Sequence, residues 1–504
     1  MGNGRLTPTA MPPTPVSAAV DRRTFVKTLS AVGAGLVLSA VPSALAEATA
    51  PRRRYAIVGL GSRHRMYQNA IEVDYKEYAE LVAVCDINPG RIQVAQKYSA
   101  AHGAPVPAGY VHTDFAKMIA ETKPDFVIVT TVDSTHDDYI VAAMEAGCDV
   151  ITEKPLTNTA EKCQRILDAR RRTGRHLRVT FNYRYSPPRT QVKDILMSGE
   201  IGDVLAVDFH WMLNTMHGAD YFRRWHSQKK FSQGLMLHKA SHHFDLANWW
   251  VGAMPETVWS VGKREFYTPA MAKRFGLESH HERCHTCPEQ AKCGFFLDLA
   301  ANPELKELYL DQEHHDGYFR DKCVFRPEID IEDTMNVLVR YDNGVTMAYS
   351  LNAFNAWECY QVVFNGTKGR LEHTIVEQIY VNGTDSLEGG IAENGVTTRI
   401  IPIRGAARNV EPWTGAGGHG GGDKVMLDEI FLPSAPADKY LRASNEHAGA
   451  ASLLIGVAAN QCFKAGQPVK IADLVKGLEK PAYAPMPSRT GPVPMPTPTK
   501  ILHT

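Results

Sequence analysis

The stretch Arg54-Tyr55-Ala56-Ile57-Val58-Gly59-Leu60-Gly61-Ser62-Arg63-His64 is the one from which the fold can be read. A short apolar run feeds directly into two glycines, the pattern of a buried parallel strand that turns sharply into a helix. Gly59 and Gly61 let the backbone come close to a ligand, and the amide groups at the helix start favour an anion such as a pyrophosphate. The pattern is incomplete, because His64 stands where a third glycine would complete it. Similar runs at Leu81 to Cys85, Phe126 to Thr130 and Asp149 to Thr152 alternate with amphipathic segments. They read as parallel strands with helices between them, a doubly wound α/β sheet.

Two strand ends carry chemistry. Asp86 closes Val82-Ala83-Val84-Cys85-Asp86, where a carboxylate accepts hydrogen bonds from an adenosine ribose. Its charge repels a 2′-phosphate and favours NAD over NADP, while nearby Arg91 is of the type that holds that phosphate. Thr152-Glu153-Lys154-Pro155 ends another strand, and a lysine at the carboxyl end of a parallel strand lies where such sheets bind ligands. Partial burial lowers its pKa and suits it to proton transfer. Thr130-Thr131-Val132 with His136, and Asn182-Tyr183-Arg184-Tyr185-Ser186-Pro187, follow at later strand ends.

On these residues the chain resembles the Gfo/Idh/MocA (glucose-fructose oxidoreductase-like) family, over roughly residues 52–260 and 325–475 and most specifically around Gly59 and Lys154. The resemblance implies a Rossmann-type NAD-binding domain over 52–183, joined to an α+β domain over 184–480 with a large, mostly antiparallel sheet. It implies that Gly59, Gly61, Ser62, Arg63 and His64 cradle the cofactor, that Asp86 and Arg91 meet its adenosine end, and that Thr130, Thr131 and His136 line it. Glu153 and Lys154 then lie beside nicotinamide and substrate, with Arg184 and Tyr185 facing the cleft.

In the second half, Val204 to Trp211, Met335 to Tyr341, Val345 to Leu351 and Tyr360 to Phe364 alternate as half-buried strands, with turns expected at Asn343-Gly344 and Asn365-Gly366. The segment Gly234-Leu235-Met236-Leu237-His238-Lys239-Ala240-Ser241-His242-His243-Phe244-Asp245 resembles a helix-start motif of the family, in which His242 and Asp245 match and His238 replaces an aspartate. Histidines four apart share a helix face. His238 and His242 therefore read as an acid–base pair, as metal ligands, or as hydrogen-bonded structural residues. Tyr183 is a further candidate acid or base. Tyr185 and Trp225 are candidates to stack on a sugar, with Asp245 assigned to the substrate.

An insertion at about 263–326 carries Cys284, Cys287, Cys293 and Cys323, four of the nine cysteines. The clustering reads as a structural zinc site, as two disulfides, or as an iron–sulfur ligand set. The glycine-rich run Gly415 to Asp423 either closes over the cleft with His419 or Asp423 or is a plain loop. Residues 481–504 form a Pro-rich tail.

At the N-terminus, Asp21-Arg22-Arg23-Thr24-Phe25-Val26-Lys27 precedes an apolar stretch ending in Ala44-Leu45-Ala46. This looks like a twin-arginine export signal over 1–46 and implies a periplasmic or secreted protein with no membrane partner after processing. With 55 basic and 55 acidic residues the charge is balanced, which argues against nucleic acid and for a neutral small-molecule substrate. The resemblance implies a homo-oligomer and oxidation of a secondary hydroxyl of a sugar, glycoside or cyclitol, with tightly bound NAD because an exported enzyme meets no nicotinamide pool. The alternatives are a redox-neutral, NAD-dependent glycoside hydrolase working through a transient ketone, a non-catalytic NAD-binding scaffold, and a metal-dependent hydrolase.

Overall fold

Tyr55, Ile57 and their alternates Ala56 and Val58 are all buried, yet successive side chains of a strand point to opposite faces. The first strand therefore feeds two separate cores, one on each side of its sheet. The computed structural model describes residues 51–279, 281–376, 395–415, 417–435 and 437–496. The export-signal segment and the last residues of the Pro-rich tail lie outside the described residues. Strands β1 (Arg53–Val58), β2 (Ala79–Asp86), β3 (Ala108–Val111), β4 (Phe126–Val129), β5 (Asp149–Glu153) and β6 (Leu177–Thr180) pair in parallel in the order β3-β2-β1-β4-β5-β6. The strand order reverses between β1 and β4, so a crevice opens where both chains leave the sheet. Strand β3 is a mostly exposed edge with the sequence Ala-Gly-Tyr-Val and offers no apolar run by which to foresee it.

One of the two cores of this domain is completed from far away. Met426, Leu427, Ile430 and Phe431, on the helix Gly422–Phe431, pack with Tyr55, Ile57 and Tyr75. The Tyr75 hydroxyl donates to Asp428 at 2.7 Å. The boundary expected at 183 is thus not the edge of this core.

The second sheet contains β7 (Val204–Asn214), β8 (Pro255–Lys263), β9 (Thr334–Tyr341), β10 (Thr346–Asn355), β11 (Cys359–Gly366), β12 (Gly369–Val376), β13 (Gly395–Pro402), β14 (Arg408–Val410) and β15 (Val469–Lys470). Its order is β14-β13-β12-β11-β7-β10-β9-β8-β15, antiparallel throughout except for the parallel pair β7 and β10. Along β9 burial alternates strictly, as expected of a sheet with one covered face. The helices Ala240–Val251 and Glu446–Ala465 pack on each other, and the second also covers β8. On the open face Trp259 sits opposite Leu338, and both are exposed. Asn343-Gly344 forms its turn, with Gly344 at φ +83°. Asn365-Gly366 does not: both residues close β11 and the turn falls on Thr367 and Lys368. Glycine is required at 366 for another reason, since a Cβ there would run into the Ile201 carbonyl.

The turn Asn182–Tyr185, which follows β6, is tied to the helix Ala240–Val251 through a buried ion pair. Arg184 Nε and Nη2 donate to the two Asp245 oxygens at 2.7 and 2.6 Å, and both side chains are 1% exposed. This corrects two expectations. Arg184 and Asp245 face each other inside the protein, because a guanidinium and a carboxylate without water satisfy one another. Tyr185 also leaves the cleft, packing into the core behind the sheet with its hydroxyl accepting from Arg178 at 2.6 Å. Asp245→Ala, which leaves the Arg184 charge buried and unpaired, is expected to lower stability by about 3–5 kcal/mol. Denaturant unfolding monitored by tryptophan fluorescence measures it, and an unchanged midpoint would show the pair to be dispensable.

Candidate functional site

A cavity of about 1550 Å³ runs along the carboxyl edge of the parallel sheet and under the second domain. At its cofactor-type end, Gly59 has φ +89°, and a Cβ there would lie 2.6 Å from the Thr131 backbone nitrogen. The turns after β1 and β4 can meet this closely only because residue 59 has no side chain. Thr130 Oγ1 fastens the contact by donating to the Gly59 carbonyl at 2.5 Å. Both oxygens of Asp86 accept backbone N–H groups, from Leu60 at 2.5 Å and Asn88 at 2.7 Å, and burial raises its pKa. Gly59, Gly61, Ser62, Arg63, Asp86 and Arg91 line this end. Arg63 reaches across to Glu153 at 2.6 Å and to Asp423 at 3.7 Å. The glycine cradle and the strand-end carboxylate fit a dinucleotide such as NAD.

His64 is an exception among the expected contacts. It is fully buried beneath the turn, where Nδ1 lies 2.6 Å from the Gly61 carbonyl, and burial drives its pKa down to about 4. A neutral histidine thus buttresses the turn from behind in place of the third glycine. His136 lines the cavity with its ring held between the carbonyls of Pro155 (2.9 Å) and Thr131 (3.2 Å).

At the centre of the cavity three side chains form a chain of proton-carrying groups. Lys154 Nζ donates to the His238 carbonyl at 3.0 Å and lies 3.3 Å from His238 Nε2. His238 Nδ1 lies 2.6 Å from Asp133 Oδ2. Loss of hydration lowers the Lys154 pKa to about 8, with Asp133 pulling it back up and Lys239 pushing it further down. Burial also holds His238 well below the usual histidine range and Asp133 well above the usual carboxylate range. The acid and the amine are thereby brought closer in proton affinity. Sequence reasoning missed Asp133, although its place four residues after the end of β4, at the strand-order reversal, is a signal of the kind that singled out Lys154.

His242 comes to the same wall, its ring stacked on Tyr183 at 4.2 Å, and the Tyr183 hydroxyl accepts from Lys239 at 3.2 Å. His238 and His242 are therefore brought to one cavity but engage different partners. His243 turns away from it, with Nδ1 2.6 Å from the Tyr349 hydroxyl. Trp225 lines the cavity and stacks on His226 at 3.6 Å. A second polar group, also missed by sequence reasoning, stands on another wall. His217 Nδ1 lies 2.9 Å from Glu358 Oε1, and its Nε2 lies 3.0 Å from the Tyr221 hydroxyl. The glycine-rich run joins the cavity as well: His419 Nδ1 contacts Asp423 at 2.8 Å, and Asn182 donates to Asp423 at 2.7 Å.

Cys284, Cys287, Cys293 and Cys323 gather around a separate cavity of about 20 Å³. Arg223 donates to Cys284 Sγ at 3.3 Å, and burial raises the Cys323 thiol to about 11. Cys284, Cys287 and Cys293 are not joined in disulfides. Among the described residues no group of three or more His, Cys, Asp or Glu side chains is set to hold a metal ion. Among the described residues the cysteines thus form no ligand set for the expected structural zinc, and His238 and His242 none for a metal.

Residues 53–181 match the family model described as "Oxidoreductase family, NAD-binding Rossmann fold", and residues 193–471 match "Oxidoreductase family, C-terminal alpha/beta domain". The chain is 35% identical to YteT of Bacillus subtilis over 408 residues, 79% of this chain and 93% of that protein. It is 32% identical over 180 residues to the inositol 2-dehydrogenase of Salmonella paratyphi B, covering 36% of this chain and 49% of the enzyme. The solved aldose-aldose oxidoreductase of Caulobacter crescentus shares the fold with a TM-score of 0.54 at 18% identity, over 83% of this chain and all of that one.

Gly59→Ala adds a Cβ at a left-handed position against backbone, a strain on the order of 1–3 kcal/mol. It is expected to weaken NADH binding by about tenfold in a fluorescence titration, with the circular dichroism spectrum retained. Unaltered affinity would mean that this turn does not carry the cofactor.

Proposed function

Because the chain belongs to the Gfo/Idh/MocA oxidoreductase family and carries its NAD-binding domain, we propose that it transfers hydride between NAD and a secondary hydroxyl of a sugar, glycoside or cyclitol, with Lys154 moving the hydroxyl proton. The observation that carries this reading is the line Lys154, His238, Asp133 in the wall of the cavity. Bound NAD supplies the hydride acceptor; the protein's own groups handle the proton. In one arrangement Asp133 is ionised, His238 carries its proton on Nδ1, and Lys154 is an ammonium. In the other, Asp133 is protonated, His238 carries its proton on Nε2, and Lys154 is a neutral amine able to accept the substrate proton. The two arrangements hold the same number of protons, and burial of both ends brings them closer in energy. Trp225, Tyr183 and His242 offer ring faces and ring nitrogens to the rest of the substrate.

A second reading, redox-neutral cleavage of a glycoside, draws support from the group His217, Glu358 and Tyr221 on another wall of the same cavity. Elimination from an oxidised sugar needs an acid and a base beyond those that move the first proton, and His238 is already committed to Lys154 and Asp133. The N-terminal segment with paired arginines supports export, and an exported enzyme retains its NAD through turnover. The exposed apolar face bearing Trp259 and Leu338 supports a homo-oligomer.

Lys154→Gln is expected to lower kcat for polyol oxidation by about 10² to 10⁴ while leaving NADH affinity within about threefold, a cost well under 1.4 kcal/mol. In the wild type kcat/KM for oxidation should rise with pH through about 8, because the neutral amine is the form that accepts a proton. Asp133→Asn removes the charge that raises the Lys154 pKa, so the rising limb should move to lower pH. A panel of cyclitols, aldoses and aryl glycosides, followed at the NADH absorbance and by free sugar release, separates the two readings. A protein that binds no nicotinamide nucleotide and turns over none of them would defeat both.

A further inference from the structure

The insertion between β8 and β9, which the chemistry above does not use, reaches the cofactor end of the cavity. Tyr309 places its hydroxyl 2.9 Å from both the Ser62 backbone nitrogen and Ser62 Oγ, at the glycine turn. Asn88, which caps the helix after β2, donates its side-chain amide to the Gln312 carbonyl at 2.9 Å. Arg91 Nε donates to the Leu308 carbonyl at 3.3 Å. Asp316 sets its carboxylate 3.0 Å from Arg91 Nη1, closer than Asp86 at 3.7 Å, and all three side chains are less than a tenth exposed. The guanidinium also lies against the rings of Tyr309 and Tyr318.

These contacts decide what Arg91 can do. Beside a strand-end aspartate, a free arginine would be a receiver for the 2′-phosphate of NADP. Here one positive charge is shared between two carboxylates, so the local sum is negative before any ligand arrives. A phosphate bearing nearly two negative charges would add to that sum in a place with little water to screen it. A ribose 2′-hydroxyl meets no such repulsion and finds acceptors in Asp86 and a donor in Arg91 Nη2, a buried atom with no other partner. We propose that Asp316, delivered by the insertion, is a specificity-determining residue that makes this site take NAD and reject NADP by occupying Arg91. The inference rests on nicotinamide nucleotide binding at this cavity and adds a residue 225 positions away in the chain from the arginine it controls.

The test is fluorescence titration of NADH and NADPH into nucleotide-free full-length protein, wild type and Asp316→Asn. The ratio of the NADPH to the NADH dissociation constant should fall by about tenfold or more in the variant, as removal of one nearby charge predicts, with NADH affinity changed little. Asp316→Glu, which keeps the charge, should keep the wild-type ratio. In Asp316→Asn combined with Arg91→Leu the gain should disappear, because it acts through Arg91. Asp316→Ser provides a second neutral variant if the asparagine protein does not fold. A ratio unmoved in a folded neutral variant, or a gain that survives loss of Arg91, overturns the proposal while leaving NAD binding intact. A wild type that takes neither nucleotide overturns the cofactor reading itself, and this inference with it.

Discussion

The geometry of the site depends on the buried fork between Arg184 and Asp245. Arg184 belongs to the turn that leaves the last strand of the nucleotide domain; Asp245 belongs to the helix Ala240–Val251 of the other. Tyr183 is one residue before the arginine, and His242 is three residues before the aspartate, so pinning the pair also sets the ring of one on the ring of the other. The same helix is preceded by Lys239 and His238, which are thereby held against Tyr183 and Lys154. An ion pair of this kind gains little net stability over apolar packing, but leaving either half alone is costly, which ties the turn after β6 to this helix.

Within that frame, burial of ionisable groups does the chemical tuning. Lys154 and Asp133 have very different proton affinities in water; excluded from it, both move toward neutrality and toward each other. A histidine between them connects the two through its separate ring nitrogens. An aspartate in place of His238 could receive the Lys154 proton but could not pass it on with its own charge unchanged. The histidine at this position is thus what connects Lys154 to Asp133.

Much of this was legible in the sequence, and the reasons differ by residue. Short Val- and Ile-rich runs announced β1, β2, β4 and β5 because buried parallel strands need apolar side chains on both faces. The glycine turn, Asp86 and Lys154 could be placed at the cavity because the carboxyl ends of the parallel strands line it. Arg184, Tyr185 and Asp245 were misplaced because nothing in a linear pattern distinguishes a charged side chain aimed at solvent from one aimed at a partner 61 residues away. Asn365-Gly366 has the composition of a turn, yet its glycine answers a tertiary contact with Ile201. Tyr309 and Asp316 were invisible because the insertion meets the first domain only in three dimensions.

The helix Gly422–Phe431 has a consequence for how the molecule is made. A chain emerging from the ribosome has completed all six parallel strands long before residue 422 exists, yet one face of their sheet still lacks Met426, Leu427, Ile430 and Phe431. Hydrogen bonds such as the one from Tyr75 to Asp428 span 353 residues and cannot form until synthesis is nearly over. The nascent nucleotide-binding half therefore carries an uncovered apolar face throughout translation, a state that invites chaperone attention and aggregation. Maturation of the first half waits on the arrival of the last, so truncation from the C-terminus damages the beginning of the protein as well as its end.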